Sequence, residues 1–197
     1  MKSVLISIRP KWCEKIASGD KTIEVRKTRP KLEPPFRCYI YCTKPSKAPQ
    51  TICGSHILSN DELYDELYRH PQDGVKYGDG IALILRDDYT ESIFLNGKII
   101  GEFTCDEFIE FPAYSAAPAC YANFARMAPD EIRRYLGNKD GYGWHISGLK
   151  IYDKPRELDW LRKPLECHRG NDRENCVGCW DCEIKRPPQS WCYVAEG

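Results

Sequence analysis

The hydrophobic and polar positions divide the chain into short segments, most of them β-like. Ser3–Arg9 alternates and is rich in branched residues, which predicts a strand. Pro10, at a first-turn position, opens a helix that runs to Ala17, and Gly19 closes it. Lys21–Lys27 predicts a second strand, with Thr22, Glu24 and Arg26 on one face and Lys21, Ile23 and Val25 on the other. Ile23 and Val25 are expected to face the core. Lys21 falls at the helix–strand junction, where a turn can redirect it. Arg37–Thr43 predicts a third strand.

After "KPSKAPQ", which reads as a linker, "SNDELYDELYRHP" predicts a helix. Ser59 makes a capping box with Glu62, Leu63 and Leu67 form a stripe, and Pro71 follows the end. "GIALILR" reads as a buried strand. Asn96-Gly97 predicts a hairpin turn with a long second arm, Lys98–Glu110. Ala128–Gly137 predicts a short helix. Tyr142–Asp153 predicts a strand with a bulge at Gly148. "KPRELDWL" suits one or two helical turns, and "SWCYVAE" a last strand. Mostly β segments with short flanking helices predict an α+β fold built on a small β-barrel.

The 197 residues suit one domain with an appendage, or two small ones. No run approaches the roughly 18 apolar residues of a membrane span. The short apolar run at the start meets Arg9 and Lys11 with no small-residue cleavage site, so no signal peptide and a cytoplasmic location are expected. The 11 cysteines are then read as buried hydrophobes, metal ligands or reactive groups. Net charge is zero, yet residues 1–47 carry 12 basic and 4 acidic side chains, and residues 48–132 carry 5 and 15. Two readings fit this asymmetry: a local anion-binding field, or mutual neutralisation in the fold.

The densest charge lies in "SGDKTIEVRKTRP", Ser18–Pro30. Within it Gly19, Lys21, Glu24 and Arg26 fit the pattern G-x-K-x-x-E-x-R. Together with "NGKIIGEFTCDEF", "WHISGLKIYDKPRELDWL" and "RPPQSWCYV", the stretch resembles the ASCH domain family, in its prophage and bacterial branch. The resemblance covers residues 3–43 and 96–195 and leaves 44–95 as an insertion in a single ASCH-like domain. It implies a PUA-like β-barrel and a role directed at RNA or a nucleotide. Some members of the family are ribonucleases, and a smaller relative hydrolyses N4-acetylated cytidine.

The residues suit that chemistry. Lys21 and Arg26, with Lys27 or Arg29, can bind phosphate, lysine as a point charge and arginine as a fork. Glu24 can accept from a base or ribose, or act as a general base held ionised by its cations. Gly19, Trp144 and His145 complete the expected ligand site. Trp12 and Tyr41 are further stacking candidates, with core packing as the alternative for each aromatic. For hydrolysis the deacetylating relatives resemble a pattern with Thr where this chain has Glu24. Thr22 is two residues away on the same face, and Glu102 is the candidate distal carboxylate. A protein-interaction module using the acidic insertion is the third functional class.

"CHRGNDRENCVGCWDC" is a separate signal. Cys176, Cys179 and Cys182 are spaced C-x2-C-x2-C, and Cys167 precedes them, which suits structural zinc in a loop at 165–186. His168 or Cys192 can replace Cys167 as fourth ligand. An iron–sulfur cluster, a metal-free loop and adventitious disulfides remain open.

Overall fold

The computed structural model describes residues 2–43, 97–113, 117–164 and 182–196, with the backbone of strands at 51–53, 56–58, 75–78, 81–85 and 90–95. The expected helix at 59–71 and the ligands Cys167, Cys176 and Cys179 lie outside these residues. Among the described residues no helix is long and apolar enough to cross a membrane.

Ser3–Ile8 (β1) is the organising strand. It pairs in parallel with Phe36–Cys42 (β3) on one side and antiparallel with Trp191–Glu196 (β12) on the other. All six β1 residues are buried, because both faces of the sheet are covered there. One face packs Val4, Ile6, Ile8, Cys38, Ile40, Phe103 and Trp144 with Cys13 and Ile16 of the helix Pro10–Ala17 (α1). The other packs Leu5, Tyr39, Ile99, Leu161 and Val194.

The main sheet has seven strands. Its order is Leu161–Arg162 (β11), β12, β1, β3, Lys98–Phe111 (β9), Gly141–Arg156 (β10) and Ile23–Arg26 (β2). The sheet is open, with β11 and β2 as its edges, so the expected closed barrel is corrected. The reason is local. The end strands are short, β11 with two residues and β2 with four; β11 pairs with β12 and β2 with β10, and no ladder joins the two ends. The α+β class stands.

Five strands between 51 and 95 form a sheet of their own: Thr51–Cys53 (β4), His56–Leu58 (β5), Val75–Gly78 (β6), Ile81–Leu85 (β7) and Thr90–Leu95 (β8). The hairpin predicted at Asn96-Gly97 is corrected by this topology. β8 pairs with β4 and β7, whereas β9 pairs with β3 and β10. Gly97, at φ +92°, marks the passage from one sheet to the other, and its N–H donates to the Cys42 carbonyl. The partner of each arm was a tertiary choice that the local residues do not encode.

The expected helix at 128–137 is Pro129–Leu136 (α3), capped by Gly137 at φ +69°. A helix not anticipated, Ala117–Ala125 (α2), precedes it. Ile23 and Val25 face the core, as their branched side chains predicted, and pack with Phe111, Ala125, Ile132 and Leu136. The bulge in β10 is also found: register shifts between Ser147 and Lys150, around Gly148 at φ +54°. "KPRELDWL" supplies a single 3-10 turn, Leu158–Trp160.

β9 and β10 approach closely at Gly101. A Cβ there would stand 2.4 Å from the Lys150 carbonyl oxygen and 3.1 Å from the Ile151 Cα, both backbone atoms of a paired strand. Gly101→Ala is therefore expected to destabilise the protein by about 1–3 kcal/mol, read as a lower urea midpoint. An unchanged midpoint would mean that the ladder can shift without cost.

Candidate functional site

The sequence between α1 and β2 explains how three charges come to lie together. Gly19 adopts φ +78°, and the Lys21 N–H donates to the Lys15 carbonyl. This turn carries Lys21 away from the alternation of the strand, onto the side of Glu24. Glu24 and Arg26 are two apart on β2 and share a face, opposite Trp144 and Tyr142 of β10.

The result is a buried ion triad. Lys21 is 1% exposed, Glu24 5% and Arg26 7%. Lys21 Nζ stands 3.4 Å from one Glu24 carboxylate oxygen, and Arg26 Nη2 stands 3.0 Å from the other. Each cation also reaches a main-chain carbonyl. Lys21 Nζ donates to Ala125 at the end of α2 (2.7 Å), and Arg26 Nη2 donates to Ser7 of β1 (2.6 Å). Arg26 Nε is buried without a partner among the described residues. Burial pushes the Lys21 ammonium below its ordinary pKa, while the Glu24 carboxylate opposes that shift.

The triad forms part of the floor of a cleft of about 470 Å³. Trp12 lines the same cleft, with Lys21 Nζ 5.0 Å and Lys11 Nζ 4.3 Å from its ring centroid. Met127, Glu131, Arg134 and Tyr135 line it from the segment around α3. These were not singled out from the sequence. They lie more than 100 residues from Lys21, and Glu131, Arg134 and Tyr135 are on a helix whose amphipathic pattern marks only its core face.

Other expected site residues go elsewhere. Gly19 makes the turn and does not line the cleft. Trp144 is completely buried in the core, edge-on to Phe36 and Phe108, and has no exposed ring face for a base. His145 does not line the cleft; its Nδ1 lies 2.6 Å from Asp106 on the opposite face of β10. Burial works to raise the Asp106 pKa, but the hydrogen bonds with His145 and Ser147 outweigh it and hold the carboxyl below its usual value. Tyr41 packs in the core. Glu102 accepts a hydrogen bond from Tyr152 at 2.7 Å and is no part of the cleft; Glu131 is the second carboxylate there. Lys27 lies over the Tyr135 ring, and Arg29 over Phe108 and Tyr142. Thr22 serves through its backbone, accepting from the Ile146 N–H.

Of the cysteines in the expected metal loop, Cys182 is described. Its carbonyl accepts from the Lys163 N–H. Among the described residues no group of His, Cys, Asp or Glu side chains is arranged to hold a metal ion.

Comparison with known proteins places this geometry in a fold. No family model matches the chain, and no curated protein matches it. Solved structures do. The crystal structure of ASCH from Zymomonas mobilis superposes with a TM-score of 0.53 at 17% identity, covering 98% of this chain and 87% of that one. A variant of the same protein with tyrosine replaced by phenylalanine gives 0.54 at 16% identity, covering 99% and 91%. One with serine replaced by alanine gives 0.53 at 15%, covering 98% and 88%. The protein therefore shares the α+β fold of these ASCH structures across nearly its whole length.

The triad makes its own prediction. Glu24→Gln leaves two buried cations facing each other, with an expected loss of about 3–5 kcal/mol in denaturant unfolding. Lys21→Met removes one charge and leaves Glu24 paired to Arg26, so it should cost less. Because the folded pKa of Lys21 lies below its ordinary 10.5, the unfolded chain binds more protons between those two values. The Lys21 contribution to stability therefore rises with pH across that alkaline window. Subtracting the Lys21→Met pH profile from that of the parent protein should isolate this rising limb. A flat difference would contradict the burial of Lys21.

Proposed function

We propose that this protein is a member of the ASCH family and binds RNA or a nucleotide-like ligand in the cleft formed in part by Lys21, Glu24 and Arg26. One observation carries the reading: three charged side chains are withdrawn from water at the base of a cleft large enough for a small ligand. Pockets that take such ligands are typically about 300–1,000 Å³, and this cleft is about 470 Å³. A buried triad is a costly feature for stability alone, since apolar packing of equal volume does as well or better. In a ligand site it supplies fixed donors and an acceptor.

The triad also redistributes the roles. Lys21 and Arg26 already neutralise Glu24 and bond main-chain carbonyls. They serve to hold Glu24 in place, with Glu24 facing the polar edge of a base or a ribose hydroxyl. A hydrolytic reading rests on the same atoms. Glu24 would take a proton from water and Lys21 would stabilise the developing negative charge, acting on RNA or on a modified nucleoside.

Binding is tested by fluorescence anisotropy with short single-stranded RNAs over a range of salt concentrations. Affinity should fall as salt rises, with a log–log slope of about −0.7 for each phosphate neutralised. Salt-independent binding, or none, would refute the proposal. Mass spectrometry of the same mixtures reads turnover: new fragments or mass losses that vanish in Glu24→Gln would establish the hydrolase, provided that variant remains folded.

We propose further that Cys167, Cys176, Cys179 and Cys182 hold one structural zinc ion. The support is their spacing and the polar sequence around them, which buries too little to fold by packing. Elemental analysis of protein purified without added metal should find about one zinc per chain, and Cys179→Ser should lose it. Iron with visible absorption would instead indicate a cluster.

A further inference from the structure

The cations around the cleft fall into two sets. Lys21 and Arg26 are tied to Glu24, and Lys11 stands 3.7 Å from Glu131. Arg9 and Arg134 line the same cleft, are exposed, and form no ion pair with any described residue. They come from distant parts of the chain: Arg9 follows β1, and Arg134 lies on α3.

Arg9 is also the N-cap residue of α1, in extended conformation, and no side chain caps the first turn. Pro10 has no N–H to offer. The Trp12 and Cys13 N–H groups both turn to the Arg9 carbonyl, and the Lys11 N–H has no main-chain partner among the described residues. The positive end of the α1 dipole thus opens beside Arg9. A helix end alone would signify little. The subsite rests on the two arginines: Arg9 and Arg134 are brought from distant parts of the chain to one cleft, exposed and without an ion pair to any described residue. The cleft lies beyond the C-terminal ends of the parallel strands β1 and β3, where Ser7 and Thr43 line it.

The geometry points to a phosphate subsite in this cleft, made by Arg9, Arg134 and the first turn of α1, and hence to a ligand bearing a phosphate ester there. This deepens the reading of the cleft as a nucleotide site and rests on it. The two guanidinium groups, without an ion pair to any described residue, line one cleft with the first turn of α1 and offer forked donors to a phosphate there, whether it is the 5′-monophosphate of a nucleotide or one diester of a single RNA strand. The base and sugar then extend toward Glu24 and Trp12. The motif residues orient the ligand, and residues outside the motif supply its charge neutralisation.

Titration calorimetry on the full chain separates these claims. The probes are cytidine and adenosine 5′-monophosphates, the two nucleosides, inorganic phosphate and a short single-stranded RNA. The proteins are the parent, Arg9→Ala and Arg134→Ala. Both arginines are exposed, so the variants should melt at the parent temperature. The monophosphates should bind about tenfold or more tighter than the nucleosides, and each arginine variant should lose about tenfold toward the phosphorylated ligand but little toward the nucleoside. Equal affinity for nucleoside and nucleotide, or unchanged nucleotide affinity in both variants, overturns the subsite while leaving the nucleotide reading of the cleft intact. Inorganic phosphate binding as tightly as a nucleotide overturns the nucleotide assignment. If only RNA binds, the phosphate is a diester within a strand, and the two variants decide in the same way. No binding of any probe overturns both readings.

Discussion

The Glu24 carboxylate, held between Lys21 and Arg26, is the interaction on which the arrangement of this protein turns. β2 is an edge strand of four residues, with one backbone neighbour. Its other edge has no strand partner. Side chains take over where backbone pairing stops. Arg26 reaches the Ser7 carbonyl of β1, and Lys21 reaches the Ala125 carbonyl at the end of α2. The two cations would repel each other in this buried space. Glu24 makes their proximity tolerable, so one carboxylate links an edge strand, a central strand and a helix terminus.

That arrangement joins stability to binding. The triad lines the cleft at the open edge of the sheet, and its cations tie β2 to the Ser7 and Ala125 carbonyls without filling that space. The rest of the fold supplies a stiff frame. Trp144, fully buried between Phe36 and Phe108, packs on the face of β10 that carries the partner position of Glu24. Ile23 and Val25 anchor the reverse face of β2 on α2 and α3. A short edge strand with buried residues on both faces is a rigid support for charged groups, which is what a preorganised site requires.

The cavity also explains why the charge asymmetry of the chain does not translate directly into a basic surface. Lys21 and Arg26 are spent internally on Glu24, and Lys11 meets Glu131 at the surface, while Lys27 and Arg29 lie over aromatic rings and keep their charge. Of the basic residues lining the cleft, Arg9 and Arg134 are exposed and form no ion pair with a described residue. A count of cations near the start of the sequence therefore overstates the field that a ligand meets, and a different pair of arginines carries it.

Local pattern determined much of this protein. Pro10 and Gly19 bounded α1, the branched residues of β1 and β3 marked central strands, Gly137 ended α3, and Gly148 marked a bulge. Spacing also placed Glu24 and Arg26 on one face of a strand. These features depend on residues close together in the chain, where backbone geometry and period settle the outcome. Tertiary structure decided what periodicity does not encode. It sent the arms of Asn96-Gly97 to different sheets, left the barrel open, and buried Trp144 where a stacking surface was expected. It joined Arg134 and Glu131 to a cleft begun by Arg9 and Lys21, more than 100 residues earlier. Strand partners and cleft walls are chosen by which faces remain uncovered after the core has packed, and that competition is settled only when the whole chain is folded.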